Sequence, residues 1–331
     1  MTKFPVAILG ATGPVGQKVI SLLENHPRFY VAEVAASEGR VGKRYGDVVA
    51  WKNEYPLPRN VAELNLRPLL EVESPYVISA LPAEVAREVE PALAARGRIV
   101  SSNASAFRME ANVPLLIPEV NGSHLSLLER QTGTGKIITN PNCSTVFLTS
   151  ALRPLMDLGA FEHVSVVTMQ ALSGAGYPGV ASFDLLGNVI PHIGGEEAKI
   201  EEETKRILGT PDTPAPFSLT VHVHRVPVVH GHTIAAHVRF RHPVSVERAR
   251  AAFLDWQERR PELIRFHEEI DRPQPARDLS PHEMRVHVGR LKAGGDPHVI
   301  GLISLGHNLV RGAAGAAIAN LAAALDHGGA R

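Results

Sequence analysis

An apolar run at 5–9 meets the turn Gly-Ala-Thr-Gly-Pro-Val-Gly (10–16), after which Val15, Val19, Leu22 and Leu23 recur at helical spacing. The pattern predicts strand, glycine turn and helix. Similar short apolar runs at 31–36, 76–81, 98–101 and 136–139, separated by helical segments, predict a parallel doubly wound sheet. Beyond residue 143 the pattern changes. Ile234, Ala236, Val238 and Phe240 alternate with Thr233, His237, Arg239 and Arg241, as in a strand with one buried and one wet face. Further strands at 163–170, 219–226, 284–291 and 299–305, with helices near 196–208 and 246–258, predict a mixed α+β second half. The Ala-rich stretch 312–325 reads as a helix that returns to the first half. The expected fold is α/β: an N-terminal Rossmann-type doubly wound parallel sheet from 1–139 with 312–331, and a mixed α+β domain from 140–311.

Composition narrows the function classes. With 44% hydrophobic and 21% charged residues the chain is an ordinary globular protein, and its 331 residues suffice for two domains. Lys plus Arg and Asp plus Glu are equal at 34 each, so no global field favours nucleic acid or an anionic membrane. Any anion must be held by local groups. The single Cys excludes an intrachain disulfide and every multi-Cys metal site, which suits a reducing compartment. The N-terminal apolar run is too short for a signal core, and no 18-residue uncharged apolar run exists. A cytoplasmic location is expected.

Gly10, Gly13 and Gly16 follow a strand and open a helix, where backbone N–H groups can face a pyrophosphate without Cβ obstruction. Thr12, Pro14 and Val15 complete that turn. At the end of the second strand, where an NAD reader carries an acid, this chain has Ser37, then Arg40 and Lys43. A hydroxyl with two cations suits a 2′-phosphate and predicts NADP, although a solvated basic loop fits the same residues and Glu38 stands close enough to serve a ribose. Cys143 is either a small buried hydrophobe or a nucleophile. Its place, between Asn140-Pro141-Asn142 at a strand end and the helical run from Ser144, favours the nucleophile, because a helix N-terminus favours thiolate. The segment 224–233 concentrates Arg225, His224, His230 and His232 between two strands, as a polar hairpin or a catalytic one. His222 and His224 share a strand face, but no further ligand completes a set, so no metal is expected.

Six ordered stretches, 10–16, 102–109 (Ser-Asn-Ala-Ser-Ala-Phe-Arg-Met), 140–145 (Asn-Pro-Asn-Cys-Ser-Thr), 169–179 (Met-Gln-Ala-Leu-Ser-Gly-Ala-Gly-Tyr-Pro-Gly), 188–197 (Asn-Val-Ile-Pro-His-Ile-Gly-Gly-Glu-Glu) and 225–233 (Arg-Val-Pro-Val-Val-His-Gly-His-Thr), together resemble the aspartate-β-semialdehyde dehydrogenase family, in particular its archaeal and fungal-like branch. The resemblance implies that Cys143 is the nucleophile, that Gln170 orients the acyl intermediate, and that His232 is the acid/base. It also implies that Arg225 grips the substrate carboxylate, that Arg108 and Lys199 bind phosphate, that Glu196 meets the substrate amine, and that Asn308 lies in the stretch closing over the nicotinamide. By the same resemblance 1–139 with 312–331 bind the dinucleotide, and 140–311 are catalytic and form a homodimer or homotetramer. The family usually carries an acid before the Gly-His-Thr and the Asn-Leu, where this chain has His230 and His307. Those departures leave the catalytic positions intact and bear on pH response and cofactor closure.

The activity so implied is NADPH-dependent reductive dephosphorylation of L-β-aspartyl phosphate to L-aspartate-β-semialdehyde and phosphate through a Cys143 thioester, in biosynthesis of lysine, threonine and methionine. Related acyl-phosphate or acyl-CoA reductases are the alternatives. N-acetylglutamyl-phosphate reductase usually carries Asn-Pro-Gly-Cys-Tyr, unlike this chain, whereas malonyl-CoA reductase resembles this branch closely. A non-catalytic dinucleotide sensor would need none of Cys143, Gln170, Arg225 and His232.

Overall fold

The computed structural model describes residues 3–329. These fall into two compact units, one built from Met1–Pro118, Gly122–Pro141 and Ala313–Arg331, the other from Glu119–Asn121 and Asn142–Gly312. The first holds β1 (Phe4–Leu9), β2 (Phe29–Ala35), β3 (Leu66–Arg67), β4 (Tyr76–Ser79), β5 (Ile99–Ser102) and β6 (Lys136–Thr139). They pair in parallel in the order β3-β2-β1-β4-β5-β6, the doubly wound order with its reversal beside β1. The apolar run in β1 is continuous because both faces are covered. Val6 and Ile8 meet the helices Pro14–Leu23 and Gly315–Gly329 through Val19, Ile20, Ala317 and Leu321, whereas Ala7 and Leu9 meet the helix Ala83–Ala95 through Val89 and Leu93. Small side chains let the C-terminal helix come close enough for the Ser101 hydroxyl to donate to the Ala317 carbonyl at 2.9 Å.

The second unit holds β7 (Phe161–Gln170), β8 (Ser218–Arg225), β9 (His232–Phe240), β10 (Ile264–Phe266), β11 (Val286–Ala293) and β12 (Val299–Gly306). Their order is β10-β11-β12-β9-β7-β8, with β7/β8 and β10/β11 parallel and the other pairs antiparallel. Ile234, Ala236, Val238 and Phe240 are buried, as the alternation predicts. Several elements differ from expectation. β3 and β10, at two and three residues, are too short to show a period. β2 starts two residues earlier than expected, because Phe29 is buried at 0% exposure, and β11 runs two residues later at both ends. The C-terminal helix proper begins at Gly315 instead of 312, preceded by a π-helical turn at Val310–Ala314. No helix among the described residues is long and apolar enough to cross a membrane.

Within the second unit the Arg311 guanidinium, 1% exposed, forms a bidentate pair with Glu119 at 3.0 and 2.9 Å. Burial would raise the Glu119 carboxyl, but the Arg311 charge and hydrogen bond outweigh it and hold it below the ordinary value of 4.5. A depressed carboxyl contributes stability above its unfolded pKa, and that contribution is lost as pH falls through the folded value. Glu119→Gln leaves Arg311 buried without its counter-charge and is expected to cost about 3–5 kcal/mol at neutral pH, read as a lower denaturant midpoint. The gap to wild type should narrow as pH drops below about 4.5. An equal midpoint at pH 7 would contradict this account.

Candidate active site

Strand register gathers the site. Gln170 ends β7 and pairs with Arg225, the last residue of β8, while His232, the first residue of β9, pairs with Gly306 at the end of β12. Neighbouring strands thus deliver Gln170, Arg225, His232 and the His307-Asn308 turn to one edge of the sheet. Cys143 is the first residue of the buried helix Cys143–Met156, and Asn142 caps it by accepting the Ser144 N–H at 2.9 Å. The other groups of Asn142 are also engaged. Its Nδ2 donates to Glu196 Oε2 at 2.6 Å, its N–H donates to Glu203 Oε2 at 2.6 Å, and its carbonyl accepts from Val146. A Cβ at Gly312 would lie 2.6 Å from the Cys143 Cβ, so only glycine lets that turn pass the nucleophile.

Ala171, one residue past β7, fixes two side chains. Its N–H donates to His232 Nδ1 at 2.9 Å, and its carbonyl accepts from Arg225 Nη1 at 2.6 Å. With Nδ1 occupied as an acceptor, neutral His232 carries its proton on Nε2, which has no protein partner. Burial pushes the His232 pKa down to about 3, with Arg225 and His307 adding to the effect. Burial also lowers Arg225, and the nearby Cys143 and Glu196 oppose that shift. A cation 5% exposed, an anionizable thiol and a neutral N–H donor therefore share one pocket. Gly174 keeps it open, since a Cβ there would stand 2.9 Å from Arg225 Nη1 and 3.0 Å from His232 Nε2.

A second layer holds this loop in place. Leu172 and Ser173 donate backbone N–H groups to the Val228 and Val229 carbonyls. Asn308 Nδ2 donates to Ser173 Oγ at 2.8 Å, which leaves the hydroxyl hydrogen for His230 Nδ1 at 3.0 Å, and Asn308 Oδ1 accepts the Gly231 N–H at 2.9 Å. The His230 and His307 rings stack with centroids 5.2 Å apart. Asn308 is thus an anchor of the His232 turn. Lys199 Nζ lies 3.3 Å from Glu196 Oε1, an i,i+3 pair on the helix Glu196–Leu208, and is half-exposed. His224 Nδ1 faces the Thr168 carbonyl at 3.2 Å, and His222 is exposed.

The remaining expected residues belong to the first unit. Gly10 has φ +71°, and a Cβ there would lie 2.6 Å from the Ala80 carbonyl oxygen. Gly13 caps the helix Pro14–Leu23 without a side-chain bond, so Val15 and Gly16 present N–H groups at an uncapped N-terminus. Around a Gly13 Cβ only the Gly10 carbonyl comes as near as 3.4 Å. Thr12 accepts from Gln17 Nε2 through its carbonyl. This is a cradle open to a phosphate, and its residues fit a dinucleotide. Ser37, Arg40 and Lys43 are exposed beyond the end of β2. Arg108 is buried, with Nη2 donating to the Asn103 carbonyl at 2.9 Å.

Residues 5–128 match the model of the semialdehyde dehydrogenase NAD binding domain, and residues 152–311 that of the semialdehyde dehydrogenase dimerisation domain. The aspartate-semialdehyde dehydrogenase of Archaeoglobus fulgidus is 48% identical over 96% of this chain and 97% of its own length. The chain belongs to the aspartate-semialdehyde dehydrogenase family. The Schizosaccharomyces pombe family member is 38% identical over 98% of both chains. A crystal structure of aspartate semialdehyde dehydrogenase with NADP from Candida albicans superposes with a TM-score of 0.90 at 32% identity, covering 99% of this chain and 100% of the other.

Reading this family member by sequence overlooks Ser173, Gly174, Ala171 and Glu203, which act through backbone groups, absent volume or contacts distant in sequence. Asn142 alone carried a local signal, an Asn directly before a helical run. Gly174→Ala fills the space before His232 Nε2 and Arg225. We expect kcat/KM to fall at least tenfold, about 1.4 kcal/mol, because the added Cβ must displace the buried His232 ring or the Arg225 guanidinium. A wild-type kcat/KM would show that this volume is not used.

Proposed function

We propose that this chain is an NADP-dependent, phosphorylating aspartate-semialdehyde dehydrogenase. The observation that carries the reading is the meeting of a helix-N-terminal Cys143, the Arg225 guanidinium and a neutral His232 presenting Nε2–H. In this reading residues 1–139 with 312–331 hold the dinucleotide and residues 140–311 carry the chemistry. Gly10, Thr12, Gly13, Pro14, Val15 and Gly16 hold the pyrophosphate, Ser37 and Arg40 the 2′-phosphate, and Asn308 closes on the nicotinamide side. When bound, NADPH supplies the hydride that reduces the acyl carbon.

The helix N-terminus and Arg225 favour thiolate charge on Cys143. Its Sγ attacks the acyl carbon of β-aspartyl phosphate, and the C–O bond to the phosphoryl group breaks, with the electron pair leaving on phosphate. The thioester results. Gln170 orients that carbonyl, and His232 Nε2–H donates to its oxygen as negative charge develops in each tetrahedral state. After reduction the alkoxide collapses, the C–S bond breaks, and thiolate leaves with its electron pair, releasing the semialdehyde. Arg225 meets the carboxylate through its planar fork and Glu196 the substrate ammonium, while Arg108 and Lys199 receive the phosphoryl group. For Lys199 this requires leaving its partly buried 3.3 Å contact with Glu196.

The proposed assembly is a homodimer or homotetramer. Tyr177, Phe183, Leu186, Val189 and Val229 are exposed, Phe183 at 98%, on the unit that matches the dimerisation domain, and a second copy would cover them.

The deciding assay follows NADP reduction with aspartate semialdehyde and phosphate, beside malonyl-CoA with NADPH. We expect phosphate-dependent turnover, a kcat/KM preference for NADP that Arg40→Glu abolishes, and near-complete loss in Cys143→Ser. Turnover of malonyl-CoA alone would reassign the chain to the acyl-CoA reductases, and an equal kcat/KM with NAD would remove the Arg40 role. In sedimentation at micromolar concentration the chain should run as a multiple of 35.7 kDa. A monomer would overturn the assembly.

A further inference from the structure

Away from the reaction centre, at the opposite edge of the second sheet, His267 follows β10 and His287 lies on β11, with Arg265 as its register partner. Asp278 comes from the short turn of helix Pro275–Asp278. All three side chains are buried, at 6%, 3% and 2% exposure. Among the described residues they form the one group of three ligand-type side chains whose candidate ligand atoms all lie within 4.8 Å of one another.

The proton inventory of the two rings is the telling feature. His267 Nε2 and His287 Nδ1 face each other at 2.9 Å. Their outward nitrogens each face a carboxylate, His267 Nδ1 towards Glu269 at 3.8 Å and His287 Nε2 towards Glu283 at 3.9 Å. At these distances neither carboxylate hydrogen-bonds its ring, but each would stabilise an N–H on the outward nitrogen once the inward nitrogen binds a metal. Without a metal one ring donates to the other across 2.9 Å, and moving that one proton to an outward nitrogen turns both inward lone pairs towards a shared cation.

Asp278 supplies the third donor. Its Oδ2 accepts from Arg272 Nε at 2.8 Å and from the Gln274 N–H at 2.5 Å, which uses both lone pairs. Its Oδ1 accepts only from Arg272 Nη2, so one lone pair remains, 3.9 Å from His267 Nε2. Two imidazole nitrogens and one carboxylate oxygen are a ligand set for a borderline divalent ion such as zinc, with water as the fourth ligand. Zinc–nitrogen bonds of about 2.05 Å at a tetrahedral angle put the nitrogens about 3.3 Å apart, so the pair need open by only about 0.4 Å.

We propose that His267, His287 and Asp278 form a structural site for a zinc-like divalent cation. The ion would tie β10 and β11 to the segment carrying Pro275 and Leu279, which packs against Gly231, where a Cβ would come within 2.4 Å of Leu279 Cδ1. The site thus braces the turn that leads into His232 without touching substrate.

The test uses the full-length chain, stripped with chelator and carrying Cys143→Ser so that no thiol competes for metal. Titration with Co2+ should show saturable binding of one ion per chain, with the visible bands of four-coordinate cobalt, displaced by Zn2+. Both should be lost in His267→Gln and in His287→Gln, and Zn2+ should raise the melting temperature of the parent only. Absence of saturable binding up to millimolar Co2+ would overturn the proposal, as would bands surviving both His variants. Should those variants fail to fold, zinc X-ray absorption on the Cys143→Ser chain decides. Two imidazoles in the first shell support the site, and a shell without imidazole refutes it.

Discussion

One backbone residue sets the chemistry of the pocket. Ala171 gives its N–H to His232 and takes a hydrogen bond from Arg225 on its carbonyl, so the neutral donor and the cation are referenced to the same point. Because Ala171 follows directly on Gln170, that point is fixed by the pairing of β7 with β8 and β9. The site therefore inherits the rigidity of a central sheet instead of depending on side-chain rotamers. A one-residue slip in that pairing would turn Arg225 and His232 to the wrong face.

The same arrangement explains why the buried charges coexist. Arg225 is buried, and burial lowers its pKa, a shift that the nearby Cys143 and Glu196 oppose in part. His232 has no such compensation and stays neutral. An anionic substrate entering the pocket improves the balance for Arg225 while asking of His232 only the hydrogen it already displays. Function and electrostatic self-consistency thus point the same way.

The architecture was legible wherever periodicity ran for four or more residues. β1, β9 and the Pro14–Leu23 helix stand out as continuous apolar, alternating and helical patterns, and the glycine turn at 10–16 declares its strand and helix together. β3 and β10 were invisible because two or three residues carry no period. In the site, Cys143 was conspicuous by rarity and position. Ser173 and Gly174 were not, because one acts through a hydroxyl meeting residues 57 and 135 positions away, and the other through the side chain it lacks. Position 199 shows the reverse case, in which the structure adds a local i,i+3 pair with Glu196 that says nothing by itself about an anion.

Asn142 has a consequence for which sequences this fold admits at the nucleophile. As a helix cap the position would accept Ser, Thr or Asp nearly as well as Asn, since each offers an oxygen to the Ser144 N–H. Its amide nitrogen also faces the Glu196 carboxylate. A hydroxyl is too short to serve both partners, and a carboxylate would set two negative oxygens against each other beside the thiolate. Local rules leave four residues open at this position and the tertiary environment leaves one, so drift around the nucleophile is constrained by Glu196, more than fifty positions downstream, as tightly as by the helix itself.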